Sequence, residues 1–562
     1  MDFAQTLAEL NLDAKATSWV SEQLEIAKKA VAALALSEAK YAESEAKYIK
    51  AEAELRNAHL KNQALVLELA HLRRMRFGVR SEAISQASYD LFDETAGADI
   101  AAIEAQLKDL ASAAQDSNNV AQASVAKRQG AGRQGAGRQG LPAHLPRIEH
   151  RHEIERCDCA TCGGLLSLIG EDVSEQLDVE PARFFVHRHI RPQYACKACE
   201  TVTAAPVPAA VIDGGMAAPG LISWVLNSKF ADHLPLYRLE QIAARSGLNL
   251  ARSTLAEWVG RYGVALSPLV DRLRVLLLQR AVLHADETPV EQLAPGHGKT
   301  KRAYLWAYCS SELGASETQI EAGRQTKRPP PIVVFDYQSS RAGAHARAFL
   351  AHWRGQLMCD DYVGYKALFE THPEVIELGC MAHARRKFFD LHAANGSPVA
   401  FEALQRIAAL YEIESRVKAM SPEARKHTRM AEAAPKLDAF KAWLLHTRTT
   451  TANGGALAKA IDYTLRRYAA LSRYAQSADL PIDNNPIENA IRPIAIGKKN
   501  WLFAGSQRAG ERAAAIQSLI ATAKRNGIDP AKWLTDVITK LPTHPNRRID
   551  ELLPFRGYRF GD

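Results

Sequence analysis

Three acidic residues stand far apart in this chain of 562 residues, each at the centre of a stretch suited to holding a metal: Asp286, Asp360 and Glu488. Asp286 closes the apolar run Arg280-Ala-Val-Leu-His-Ala-Asp286, and Asp360 closes Gly355-Gln-Leu-Met-Cys-Asp360. Glu488 lies in Asp483-Asn-Asn-Pro-Ile-Glu488-Asn, which reads as a turn entering a helix. A carboxylate at the end of a buried strand is costly to leave unpaired. Two such strand ends and a helical Glu together offer oxygen ligands to two hard divalent cations, Mg2+ or Mn2+, the arrangement that serves phosphodiester chemistry. Each acid alone is more ordinarily a turn or a cap; the ordered set of three points to a metal centre.

The elements that must position these acids follow from the pattern after residue 280. Short apolar runs, Ala281-Val-Leu-His-Ala, Ala303-Tyr-Leu-Trp-Ala-Tyr-Cys, Ile332-Val-Val-Phe, Gln356-Leu-Met-Cys and Val375-Ile-Glu-Leu-Gly-Cys, predict five strands of an α/β core with a mixed sheet. Residues from about 384 to 480 are almost wholly helical in composition. They separate Asp360 from Glu488 by far more than one crossover needs, so a helical insertion at about 391–480 is expected within a catalytic domain at 276–500. A C-terminal helical region follows at 501–562.

The bulk composition narrows the class of partner. Apolar residues make up 47% and charged residues 24%, an ordinary globular balance in a chain too long for one core. The 71 Lys and Arg against 63 Asp and Glu leave a net charge of +8, which suits a polyanionic partner without specifying one. The start of the chain shows no signal-peptide pattern, and the most apolar tract, about Pro206 to Leu226, is broken by Pro, Asp213 and Gly-Gly. No membrane role and a cytoplasmic location are therefore expected. Of the eight Cys, four form Cys-x-x-Cys pairs, which fits a reducing compartment and a metal site.

Residues 1–111 predict a helical region. From about residue 20 to 76 neither Gly nor Pro occurs, and Tyr41, Tyr48, Leu55, Asn62 and Leu69 recur at heptad spacing. A leucine-zipper-like coiled coil and a homo-oligomer are expected, with a solitary amphipathic helix as the alternative. The stretch ends in a basic cluster, Arg73, Arg74 and Arg76, candidate DNA contacts. Residues 112–146 read as a flexible, basic, Gly-rich linker with the repeat Arg128-Gln-Gly-Ala-Gly-Arg133-Gln-Gly-Ala-Gly-Arg138. Within 147–205, Cys159-Ala-Thr-Cys162 and Cys196-Lys-Ala-Cys199 flank a strand-like stretch, as in a zinc ribbon; four thiolates predict a closed, structural Zn2+ site, with Cys157 left out. Residues 206–275 hold Leu239–Arg245, Gly247 and a second helix begun by a capping Ser253. This suits a helix-turn-helix and equally an ordinary helical hairpin.

These stretches carry a resemblance. With Leu72-Arg-Arg-Met-Arg-Phe-Gly, His284-Ala-Asp286-Glu-Thr, Asp360-Asp-Tyr-Val-Gly-Tyr, Gly379-Cys-Met-Ala-His-Ala-Arg-Arg-Lys-Phe-Phe, Asp483-Asn-Asn-Pro-Ile-Glu488-Asn and Asn500-Trp-Leu-Phe-Ala-Gly-Ser, the chain resembles DDE-type transposases of the insertion-sequence-66 family over almost its whole length. The resemblance implies an RNase H-like catalytic core with a helical insertion, a triad of Asp286, Asp360 and Glu488, and two small accessory proteins of the same element. It also implies a reaction: hydrolysis at the 3′ ends of the element, then attack of each freed 3′-OH on target DNA, at two Mg2+ ions about 3.5–4 Å apart. Two departures stand out. Asp361 replaces a usual Gly, which leaves open which of two neighbouring acids is the ligand, and register favours Asp360. Met381 replaces a usual Trp. His383, Arg385, Arg386 and Lys387, and beyond the Glu helix Lys498, Lys499 and Arg508, are candidate contacts to the DNA backbone. A transposase-derived DNA-binding regulator and an RNase H-like nuclease or resolvase are the alternatives.

Overall fold

The computed structural model describes residues 145–153, 166–180, 183–294, 298–313, 320–321, 324–325 and 329–561, with Leu141, 99–107 and six positions between 61 and 69. The chain forms two units, 1–71 with 107–124, and 72–106 with 125–562. In the first, the described positions from Lys61 to Leu69 are helical, with Leu65 and Leu69 buried and Val66 exposed. The rest of the heptad stretch, Arg73, Arg74 and Arg76, and nearly all of the linker lie outside the described residues.

The second unit contains a four-stranded sheet. In it β1 (Arg147–Arg151) runs parallel to β3 (Arg183–Cys196), while β2 (Leu166–Glu180) and β4 (Val202–Ala204) are antiparallel to β3. Leu177, Phe184 and Val186 turn inward and share one apolar core with the helices that follow. These are α1 (Pro219–Phe230), α2 (Leu236–Arg245), α3 (Arg252–Ala265) and α4 (Ser267–Leu277). Gly247 turns the chain between α2 and α3 at φ +73°, a conformation that favours glycine. The expected capping Ser253 lies instead inside the first turn of α3, which starts from Ala251 without a side-chain cap; Arg252 bonds back to Glu240 at 3.1 Å. Seven residues of α3, from Leu255 to Gly263, are buried, so this helix is packed around much of its circumference.

The central sheet comprises β5 (Val282–Ala294), β6 (Lys299–Ser310), β9 (Val333–Gln338), β10 (Gly355–Cys359) and β11 (Val375–Gly379), with a sixth, two-residue strand at Phe503–Ala504 paired to β5, and the short ladder of β7 (Ile320–Glu321) and β8 (Arg324–Gln325) apart from it. Its order is β11-β10-β5-β6-β9, with β6 antiparallel to both neighbours and the other pairings parallel. All five expected strands are present. β5 runs on to Ala294, past the polar Asp286-Glu287-Thr-Pro289, because its ladder with β6 continues from Leu283↔Ser310 to Ala294↔Lys299. Helices α5 (Gly343–Phe349) and α6 (Val363–Thr371) connect the later strands.

Alternation along β6 divides the core. Trp306 and Tyr308 face one apolar cluster, with α4–α6, and Leu305, Ala307 and Cys309 face another. From Met381 to Gln476 the chain is helical: α7 (Met381–Asn395), α8 (Pro398–Val417), α9 (Pro422–Thr428), α10 (Ala434–Thr449), α11 (Ala456–Arg466) and α12 (Tyr468–Ser472), with a π-helical turn between α9 and α10. These helices gather a core of their own around Phe388, Ile407, Leu410, Phe440 and Tyr474. The chain then returns through α13 (Asn485–Trp501) and β12 (Phe503–Ala504) to α14 (Gln507–Arg525) and α15 (Pro530–Lys540). The stretches 206–275 and 501–562 share one core with the sheet. Ser518 and Thr522 of α14 bond the free edge of β9, at Phe335 N (2.8 Å), Val333 N (3.1 Å) and Val333 O (3.0 Å), so the edge offers no open backbone ladder there.

Candidate metal centre

Period-two alternation decides which acid of the Asp286-Glu287 pair can enter a site. Asp286 lies opposite Ala307 and so takes that residue's face of the sheet, where Ile487, Ile491 and Ile494 of α13 pack. Glu287 lies opposite Trp306 and points to the other face, where Arg341 (2.6 Å) and the Tyr365 hydroxyl (3.2 Å) bind its fully buried carboxylate. On the parallel neighbour β10, Met358 pairs with His284, and continuing that register by two residues sets Asp360 level with Asp286. The strand stops at Cys359, so Asp360 emerges at its carboxyl end, where it accepts a hydrogen bond from Tyr362 N at 2.9 Å. Asp361 is engaged elsewhere, with Lys366 at 2.9 Å and Arg467 at 3.7 Å.

Glu488 comes from the first turn of α13, and the peg that sets this helix is its buried N-cap residue Asn484. The Asn484 amide nitrogen donates to Ala285 O at 2.9 Å, so its oxygen must face His284 Nδ1, 3.0 Å away. That oxygen only accepts, so His284 carries its proton on Nδ1 and presents a bare Nε2. Burial holds the His284 imidazole down at about 4. The Asn484 backbone N–H donates to Cys380 Sγ at 3.2 Å, which ties the same turn to the start of α7.

Asp286 is costly to ionise. Burial first, then Glu287, Asp360 and Glu488, push the Asp286 carboxyl up to about 8, although a hydrogen bond from Glu287 N lowers it. Glu488 Oε1 and His383 Nδ1 are buried without a hydrogen-bond partner and lie 3.7 Å apart. Burial holds His383 below the usual histidine range even though Glu488 and Asp360 pull it upward. Arg386, one turn along α7, reaches to 3.9 Å of Glu488 and is largely exposed.

The remaining basic candidates scatter. Arg385 lies along Phe389 on its own helix, and Lys387 lies over the Tyr463 ring at 4.4 Å. Lys498 donates to Pro289 O at 2.8 Å, Lys499 is exposed, and Arg508 donates to Gln106 at 3.0 Å. A cleft of about 1220 Å³ lies beside the centre, lined by His284, Tyr411, Arg429, Asp483 and Lys524 among others, and the three carboxylates do not line it.

In the ribbon, Cys196 ends β3 opposite Leu166, and Cys199 follows in a turn closed by Glu200 N to Cys196 O at 2.8 Å. Cys159 and Cys162 lie outside the described residues. Four imidazoles, which sequence reasoning did not single out, line one side of β3 and of the segment from β1 to His152. His150 Nε2 is 2.7 Å from His187 Nδ1, His152 Nε2 is 3.0 Å from His189 Nδ1, and Asp178 backs His187 at 2.8 Å. The signal was present as His-x-His in both segments, which period two places on one face. Burial, then the neighbouring histidines, lowers His189 to about 4.

Comparison with known proteins matches this architecture along the chain. Residues 214–512 match the family described as Transposase IS66 family, 156–200 the zinc-finger binding domain of transposase IS66, and 518–555 the IS66 C-terminal element. Residues 64–149 match a model described as Transposase C of IS166 homeodomain. The chain is 37% identical to the uncharacterized protein y4jD of Sinorhizobium fredii over 502 residues, covering 87% of this chain and 93% of that protein. It is 32% identical to y4hP of the same organism over 514 residues, covering 88% and 89%. The chain belongs to the IS66 transposase family. Among the described residues no helix is long and apolar enough to cross a membrane.

Proposed function

We propose that this transposase binds the inverted-repeat ends of an insertion element, cuts their 3′ ends by metal-dependent hydrolysis and joins them to target DNA. The observation that carries the reading is the convergence of Asp286, Asp360 and Glu488 from two parallel strands and one helix, with the Asp286 carboxyl pushed up by burial and then by its acidic neighbours. An RNase H-like core is supported by the sheet. Numbered by order of appearance its strands lie 5-4-1-2-3, with the second antiparallel to its neighbours.

The residues fit hard divalent cations. Asp360 and Glu488 both stand near enough to Asp286 to act on its carboxyl, and the buried Glu488 Oε1 has no hydrogen-bond partner. Bound there, Mg2+ would supply Lewis-acid activation of the attacking oxygen and stabilise the leaving 3′-oxygen. Asp360 is assigned over Asp361 because Lys366 and Arg467 already neutralise the latter. Asn484 holds the Glu488 turn against β5 and so sets the third ligand. His383 and Arg386 stand beside Glu488, where a scissile-strand phosphate would sit. The Cys159, Cys162, Cys196 and Cys199 knuckles would hold a structural Zn2+. Homo-oligomerisation through residues 1–111, and action with two small accessory proteins, complete the reading.

The test is incubation with labelled element ends, target plasmid and Mg2+, comparing Asp286→Asn with the parent. Losing several kcal/mol of transition-state stabilisation corresponds to at least about a thousandfold loss of cutting and joining. Joining by Asp286→Asn at the parental rate would overturn the triad. Binding without cutting by the parent would favour a regulator, and cutting without joined product a nuclease.

A further inference from the structure

We propose that Cys380, His383 and Glu488 form a second cation site, selective for a thiophilic ion such as Zn2+, and that its occupation withdraws Glu488 from the catalytic centre. One ligand atom from each residue lies within 4.8 Å of the others. Cys380 and His383 stand three apart at the start of α7, so their side chains rise on the same side of the helix. Within this group His383 Nδ1 and Glu488 Oε1 are buried with no hydrogen-bond partner. They are 3.7 Å apart, too far to bond each other directly.

The donor set argues for the class of ion. Sulfur, imidazole nitrogen and one carboxylate oxygen suit Zn2+ and leave a fourth position open, whereas Mg2+ takes oxygen ligands. Burial pushes the Cys380 thiol up to about 12 in the cation-free fold, so an ion must displace its proton, and two features of the site favour the thiolate that results. Cys380 is the N-cap residue of α7, so the positive end of that helix faces it, and the Asn484 N–H already donates to its sulfur at 3.2 Å. Binding would form a metal–sulfur bond and release the Cys380 thiol proton to solvent; no bond within the protein breaks and nothing is oxidised.

Binding itself depends only on these three side chains, while the inhibitory consequence rests on the reading of Glu488 as a catalytic ligand. The full-length protein, with its Cys-x-x-Cys knuckles filled by Zn2+, would be dialysed against Zn2+ and analysed for bound metal. Co2+ would be the optical probe for thiolate coordination. The parent is expected to bind one Zn2+ more than Cys380→Ser, and affinity in His383→Gln is expected to fall by at least the roughly 100-fold upper end seen for loss of an outer-sphere partner, since a direct ligand is removed. Circular dichroism checks that both variants fold. In the cutting assay with excess Mg2+, added Zn2+ should inhibit the parent at least about tenfold more strongly than Cys380→Ser, which keeps the three Mg2+ carboxylates. Equal zinc stoichiometry and affinity in parent, Cys380→Ser and His383→Gln would overturn the site. If the parent binds the extra Zn2+ but cuts nothing in Mg2+, the site stands and the catalytic reading falls.

Discussion

At the scale of single residues, neighbouring acids have different uses because their surroundings differ. Asp360 and Asp361 are adjacent, yet among the described residues only Asp361 forms ion pairs, with Lys366 and the almost fully buried Arg467. Asp360→Asn is therefore expected to abolish cutting with little loss of stability. Asp361→Asn should retain cutting and lower the urea midpoint, since it strips part of the counter-charge from Arg467. The opposite pattern in paired cleavage and denaturation assays would exchange the two roles. Asp286 gives a pH signature. Its carboxyl ionises near 8 in the cation-free fold against 3.8 for an ordinary Asp, so between those values the folded protein holds a proton that the unfolded chain has lost. Stability of the cation-free protein should fall as pH rises through that window. Mg2+ must displace the same proton, so the rise in Tm on adding Mg2+ should grow from about pH 6 to about pH 9. A Tm increment independent of pH would contradict this.

At the scale of elements, the turn that opens the helix carrying Glu488 is anchored by one buried amide. Asn484 is wholly buried and bonds Ala285 O, His284 and, through its backbone, Cys380. Asn484→Ala leaves the Ala285 carbonyl and the His284 Nδ1–H unsatisfied and should cost at least about 2 kcal/mol in urea denaturation. The rate at saturating DNA should fall while DNA affinity changes little, because the Glu488 turn loses its anchor. Unchanged stability would show that Asn484 is not the peg. The five strands and the long helical stretch were legible because each announces itself through local periodicity. The length of β5 was not, since Pro289 and two acids look like a break until the ladder with β6 is known. Ser253 likewise looks like a cap only until α3 is seen to start from Ala251.

At the scale of the whole molecule, the second unit is joined by contacts between residues remote in sequence. Asp99, fully buried in the helical segment 99–107, pairs with Arg512 of α14 at 2.8 Å and accepts from Ser506. Asp99→Ala would take this carboxylate from the buried Arg512 and should destabilise this unit by up to about 3–5 kcal/mol. Adding Arg512→Met should recover part of that loss in the same denaturation experiment. If the double variant is no more stable than Asp99→Ala, the pair is not what joins segment 99–107 to α14. Arg508 belongs to the same contact through Gln106, so one of the basic residues considered for DNA binding is engaged in holding this segment.

The sequence by itself determined the five strands, the intervening helices, the spacing of the Cys pairs and the three acids proposed as metal ligands. These are encoded locally, in side-chain period, turn residues and short motifs. Tertiary structure alone decided that Asp286 faces α13 while Glu287 faces Arg341, and that Asp361 is neutralised. It also decided that Asn484 pegs the Glu488 turn and that Cys380 and His383 stand beside it. Each of these depends on which groups meet across space, and so on the low dielectric and the hydrogen-bond partners that only packing supplies.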